Sequence, residues 1–243
     1  MAVPPLNPRG DVMTQQLTLD VALRDGATFD VFHSGDHPLG PEAVRAAAQG
    51  TGEPQVYLFG EAGCGKTHLL EAACHEVCRA GGRIAYLPMG LLADSGPGVL
   101  DGWEGLDLIA LDDLDRMPRA ADFERALFDF INRQRDAGTR LVLASRTAPQ
   151  SLSVALPDLR SRLLWGPVFQ LHELSDVHKR EVLVHRARRR GFDLPPDACD
   201  YLLRHKRRDL TSLMGLLDRL DKASLRDKRK ITLPFVRKVL QAD

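Results

Sequence analysis

The chain has 243 residues, 44% hydrophobic and 27% charged, the composition of an ordinary soluble globular protein with ample length for a buried core. It contains no run of 18 apolar residues, and its start, MAVPPLNPRGDVM, lacks the basic and apolar regions of a secretory signal, so a cytosolic protein with no membrane contact is expected. The net charge is zero but unevenly spread: residues 176–243 hold 18 Lys/Arg against 10 Asp/Glu, an excess of +8, and residues 1–175 hold 15 against 23, an excess of −8. The basic part either faces nucleic acid or an acidic partner, or is the solvated face of a charged helical unit.

Residues 1–27 carry Pro4, Pro5, Pro8 and Gly10 without helical period and read as a flexible tail, interrupted by one apolar alternation from Gln15 to Val21. From Phe29 the pattern changes. The runs at 56–60, 83–89, 106–113 and 139–145 are short, apolar and bounded as buried strands are, with helical-period segments at 68–80 and 122–136 between them. Cys74 and Cys78, one helical turn apart, are expected to be buried small apolar residues rather than a metal or redox pair. Strands alternating with helices predict a parallel sheet covered on both faces, an α/β doubly wound domain over 28–174. The run 168–174 is its expected last strand. Beyond it the pattern is helical: 176–190 behind Ser175 and stopped by Gly191, then 196–205, 209–225, and a short helix from Leu233 behind Thr232. A small all-helical domain over 175–243 is therefore expected.

Gly60-Glu61-Ala62-Gly63-Cys64-Gly65-Lys66-Thr67 fits G-x-x-x-x-G-K-[ST] without mismatch, between a predicted strand and a predicted helix. Gly60, Gly63 and Gly65 let the backbone N–H groups, Cys64 included, converge on phosphate oxygens, and the helix start that follows, through Thr67 and His68, adds positive potential. Lys66 is placed to reach the β and γ phosphates, and the Thr67 hydroxyl to sit on Mg²⁺. "LDLIALDD" supplies an acidic end to a buried strand, with Asp112 placed to hold that magnesium through water and Asp113 one residue beyond. The alternative is that both carboxylates only cap a turn.

Taken with "TFDVFHSGD" at 28–36, "LPDLRSRLLWG" at 156–166, "RARRRGFDLP" at 186–195 and "TLPFVRKVL" at 232–240, these motifs resemble the P-loop AAA+ ATPases. Within them the likeness is to the clade of the bacterial replication initiator DnaA, and to a shorter regulatory branch of it. The resemblance covers nearly the whole chain and implies a helical lid for the C-terminal domain. It implies ADP (or ATP) with Mg²⁺ as cofactors, and an arginine offered across a subunit boundary to a neighbour's γ-phosphate; position matching puts that role on Arg162. It implies a lid arginine on the subunit's own phosphates, falling on Arg208 with Arg207 as the adjacent competitor. "QLTLDV" becomes, by the same likeness, a motif that docks on the DNA polymerase III sliding clamp, Gln16 at the pocket rim and Leu17 and Leu19 in apolar recesses. The implied working form is an ADP-bound homo-oligomer, in the simplest case a dimer, that prompts DnaA to hydrolyse its ATP.

Two positions depart from the wider superfamily. Where many members place a glutamate that polarises the attacking water this chain has Asp113, as the initiator clade does, and where the fourth strand usually ends in an acid it has Ser145-Arg146. Two rival functions stand beside the adaptor: a self-sufficient ATPase of the helicase-loader type, and a nucleotide-gated module that contacts duplex DNA through its basic lid.

Overall fold

A computed structural model describes residues 23–24, 26–205 and 209–241. The sequence-predicted clamp motif, Gln16, Leu17 and Leu19, and both lid-arginine candidates, Arg207 and Arg208, lie outside the described residues. The elements run in order: α1 (Leu39–Gln49), β1 (Gln55–Phe59), α2 (Lys66–Arg79), β2 (Ile84–Pro88), α3 (Met89–Leu92), β3 (Leu108–Asp112), α4 (Ala121–Asp136), β4 (Arg140–Ser145), α5 (Pro157–Leu163), β5 (Val168–Gln170), α6 (Asp176–Arg189), α7 (Pro196–His205), α8 (Leu210–Asp227) and α9 (Leu233–Gln241). The strands form one parallel sheet in the order β2-β3-β4-β1-β5, as an α/β doubly wound fold requires.

Side-chain alternation builds two cores from these strands. Val56, Leu58, Leu108, Ala110, Val142 and Ala144 point to the face covered by α1 and α2. Tyr57, Ile109, Leu111, Leu141 and Leu143 point to the other, where α4 contributes Phe123, Leu127 and Phe130. Both faces are apolar because both are covered, which is why these strands read as continuous hydrophobic runs. A third cluster, including Leu183, Leu202, Leu217 and Val236, belongs to α6–α9 alone.

Local chemistry sets the boundaries. The Ser175 hydroxyl accepts from the His178 amide at 3.3 Å to start α6, and the Asp209 carboxylate accepts from Ser212 at 2.8 Å to start α8, so Asp209 is the cap rather than the first helical residue. α6 ends before Gly191, at φ 84°. Some expectations need correcting. The last strand stops at Gln170, because β5 pairs with β1 only over Tyr57 to Phe59 and the chain then turns toward the helical unit. Cys74 is buried as expected, but Cys78, on the outer side of the last turn of α2, is exposed. α1, with Pro41 inside its first turn and Ala-rich beyond, forms a helix where none is predicted; it ends at Gly50, φ 72°. No helix of the described residues is long and apolar enough to cross a membrane.

Candidate functional site

The loop from Gly60 to Gly65 leaves the carboxyl end of β1 and turns into α2. Gly60, Gly63 and Gly65 take φ of 153°, 85° and 102°, conformations that side-chain-bearing residues rarely adopt. A Cβ at Gly60 would lie 2.2 Å from the Leu171 carbonyl oxygen, and one at Gly65 would lie 2.6 Å from the Phe32 ring. Gly65 is also the N-cap of α2, where no side chain caps the helix, so the first-turn amides are left for an external anion. Lys66 is 7% exposed, and its ammonium donates to the carbonyls of Gly60 at 2.6 Å and Glu61 at 2.9 Å. It also meets the Cys64 sulfur at 3.6 Å. Among the described residues no carboxylate pairs with this buried cation, so its charge is left for a ligand to neutralise.

At the end of β3, Asp112 is 2% exposed and accepts three hydrogen bonds: from the Thr67 hydroxyl at 2.7 Å, the Tyr86 hydroxyl at 2.7 Å and the Asp113 amide at 2.8 Å. Thr67 and Asp112 are therefore brought together as hard oxygen donors of the kind magnesium takes. Tyr86, from β2, is the partner that the sequence does not reveal. Its pKa is pushed well up, by burial first and by Asp112 second, so it stays a donor. Asp113 adopts a left-handed φ of 53°, uncommon for a residue with a side chain, and turns its carboxylate to within 3.7 Å of Arg116. Burial and then repulsion from Asp112 raise its pKa, with Arg116 opposing.

The helix α2 end of the site is walled by the segment before Phe29. Arg24 pairs with the buried Glu71 at 2.8 Å, His75 meets the Arg24 carbonyl at 3.1 Å, and His68 meets the Thr28 carbonyl at 2.9 Å. A carbonyl only accepts, so Nε2 of His68 carries the proton. Gly63, Cys64, Gly65, Lys66, Thr67, His68 and Asp113 all border one cleft of about 600 Å³ between sheet and helical unit. The opposite wall supplies Lys179 and Arg186 of α6 and Arg190 just after it, none of them singled out by the sequence reading. Lys179 pairs with Glu173 at 2.5 Å and Arg190 with Asp218, whereas Arg186 has no described partner. Arg146 also borders the cleft; its amide donates to Asp115 at 2.8 Å, and the Ser145 hydroxyl donates to the same oxygen at 3.2 Å.

Arg162 is not part of this cleft. It sits in the last turn of α5, its guanidinium carbon 3.7 Å from the centre of the Trp165 ring and 5.4 Å from that of Phe128. Its Nε is buried without a hydrogen-bond partner. The segment is fixed to the sheet by Gln55, whose side-chain amide donates to the Arg162 carbonyl at 2.8 Å, and by Gly166, where a Cβ would fall 1.8 Å from the Gln55 carbonyl oxygen.

Comparison with known proteins fits this geometry. Residues 176–240 match the family model described as Hda, lid domain. Domain III of the Thermotoga maritima replication initiation protein DnaA superposes with a TM-score of 0.77 at 21% identity, over 91% of this chain and 98% of that one. AMPPCP-bound DnaA from Aquifex aeolicus gives 0.68 at 24% identity, over 83% of this chain and 67% of that one. The Thermotoga maritima RuvB Holliday junction branch migration motor gives 0.63 at 21% identity, over 84% of this chain and 67% of that one. The fold is thus that of an AAA+ ATPase with an Hda-type lid. The lid match and the fold are thus of one kind, an Hda-type lid on the fold seen in domain III of DnaA.

Proposed function

We propose that this Hda-like protein is an ADP-bound regulatory AAA+ subunit that stimulates hydrolysis of ATP held by the initiator DnaA, and so prevents a second round of initiation. The observation that carries the reading is the placement of Arg162. It lies outside the chain's own cleft, half-buried against the ring of the surface residue Trp165, and among the described residues no acid neutralises it. A guanidinium so presented serves a triphosphate on another subunit, where such a group contributes on the order of 10³ to 10⁵ in rate.

The chain's own nucleotide is held by the amides of Gly63, Cys64, Gly65, Lys66 and Thr67 and by the Lys66 ammonium, beside His68. A lid arginine, Arg208 by the likeness, completes the set. The free helix start, the unneutralised Lys66 and the glycine-only backbone fit a di- or triphosphate. Thr67 and Asp112 would hold Mg²⁺, which would supply charge neutralisation at the phosphates. Gln16, Leu17 and Leu19 dock the tail on the DNA-loaded sliding clamp, which raises the local concentration of Arg162 near the initiator.

Turnover of the chain's own ATP is slow in this reading. Asp113, in the place of the water-polarising acid, is drawn toward Arg116, and the strand end that usually carries an acid presents Arg146. The competing reading, a self-sufficient ATPase, is favoured by the preformed Thr67–Asp112 pair. Single-turnover hydrolysis by the isolated chain separates them: fast turnover abolished by Lys66→Ala would rule out the adaptor.

A further inference from the structure

Beyond the nucleotide cleft, four arginines converge on a second hollow. It measures about 270 Å³ and is bordered by Arg79 from the end of α2, by Arg186 and Arg189 from α6 and by Arg190 just after it, opposite Thr28 and Asp30. It joins the cleft through Gly26, Val31, Arg186 and Arg190, none of them in the phosphate loop.

Among the described residues the charges here are not balanced from within. Asp30, the acid on the rim, is already paired with Arg45 at 3.3 Å, and Arg190 is taken by Asp218. Among the described residues Arg79, Arg186 and Arg189 have no carboxylate partner, and the buried Nε of Arg186 has no acceptor. Burial first, then Arg190 and Arg189, lower the pKa of Arg186, with Asp218 opposing. An orphaned donor inside a cluster of guanidiniums is costly unless an anion with several acceptor oxygens meets it.

We infer that Arg79, Arg186, Arg189 and Arg190 form a binding site for a phosphate-type anion, separate from the loop at Gly60–Thr67. The anion arrives either free or as a phosphate on the ribose side of a nucleotide seated in the adjoining cleft. Only the second route rests on the nucleotide reading given above.

The test is calorimetric titration of sodium diphosphate into the full chain saturated with ADP, so that the phosphate loop is already filled. Arg79 and Arg189 border the hollow and not the cleft, so the double variant R79Q/R189Q keeps its ADP affinity. Its diphosphate affinity drops about tenfold or more. ADP carrying an additional 3′-phosphate is the second probe. A similar advantage of this probe over ADP in the wild type, lost in the double variant, shows that the anion arrives on the nucleotide. Diphosphate binding alongside ADP shows that it arrives free. Neither effect in the wild type, or either effect unchanged in the double variant, overturns the site. If the chain takes no ADP, the nucleotide reading fails, and the hollow is then decided by diphosphate binding to wild type and variant alone.

Discussion

The guanidinium carbon of Arg162 lies over the Trp165 ring, 3.7 Å from its centre, while that of Arg135 from α4 lies 3.6 Å from the same centre. Two guanidinium carbons this close to one ring cannot share a face without colliding, so the indole is held between them. Trp165 is 36% exposed, which leaves the stack at the surface with Arg162 restrained in one direction. A long cation pays rotamer entropy when it is ordered on binding, and the stack removes part of that cost beforehand.

Loss of the ring should therefore weaken the finger without touching the nucleotide. Trp165→Ala is expected to lower stimulation of the partner's hydrolysis by roughly two- to thirty-fold, the worth of a cation–π contact, with Trp165→Phe in between. ADP affinity, measured by calorimetry in the same variants, stays at the wild-type value. Unchanged stimulation in Trp165→Ala would show that the stack does not position Arg162.

Lys66 and Asp112 make different contributions to the cleft. Lys66→Ala is expected to cost about ten- to a hundred-fold in ADP affinity, the range for a charge-assisted hydrogen bond in a buried site. Asp112→Asn keeps volume while removing the charge that supports Mg²⁺. ADP affinity of that variant should be the same with magnesium or with a chelator, whereas the wild type weakens when the metal is removed. Equal metal dependence in the two proteins contradicts the roles given to Thr67 and Asp112.

His68 ties stability to pH. Burial lowers its pKa below the ordinary 6.5, with the Thr28 carbonyl opposing and Arg186 and Arg24 reinforcing. The unfolded chain thus binds a proton more readily than the folded one, so this residue's contribution is fully present above pH 6.5 and is lost as pH falls from there through the folded-state pKa. His68→Asn, which can still donate to Thr28 but does not titrate, should flatten the loss of urea stability between pH about 7.5 and about 5. An identical slope in wild type and variant assigns the pH dependence to other groups.

Gly166 is a structural test of the segment that carries Arg162 and Trp165. Gly166→Ala places a methyl group 1.8 Å from the Gln55 carbonyl oxygen and is expected to cost about 2–3 kcal/mol, read as a fall in the urea midpoint. Gly98→Ala, where nothing lies within 4 Å, serves as the control and should stay within about 0.5 kcal/mol of wild type.

The tail prediction stands apart from the structure described. Gln16→Ala with Leu17→Ala should abolish capture by the sliding clamp while leaving ADP affinity unchanged. Undiminished capture would place clamp docking elsewhere.

Much of this fold was legible because its strands are covered on both faces: Val56–Leu58, Leu108–Leu111 and Leu141–Ala144 are uninterrupted apolar runs, a pattern that solvent-facing sheets lack. The phosphate loop was legible for a related reason, since its glycines are demanded by backbone angles that few other residues adopt. What the sequence hid are contacts across long separations. Tyr86 reaches Asp112 and Glu71 reaches Arg24 only once β2 and the N-terminal segment are in place. Arg186 looks like one more basic residue of a charged helix until the fold sets it in the cleft, with no carboxylate paired to it among the described residues. The exposure of Cys78 was missed because one turn of helix separates buried from exposed, and a four-residue spacing does not say where the covered stripe ends.

Loss of the finger is the most direct test of the central claim. DnaA is loaded with radiolabelled ATP, mixed with clamp on DNA and this chain bound to ADP, and followed through one turnover. Wild type should speed hydrolysis, and Arg162→Ala, with ADP and clamp binding intact, should lose that acceleration by on the order of 10³-fold or down to the unstimulated rate. Acceleration by Arg162→Ala equal to that by wild type would contradict the account.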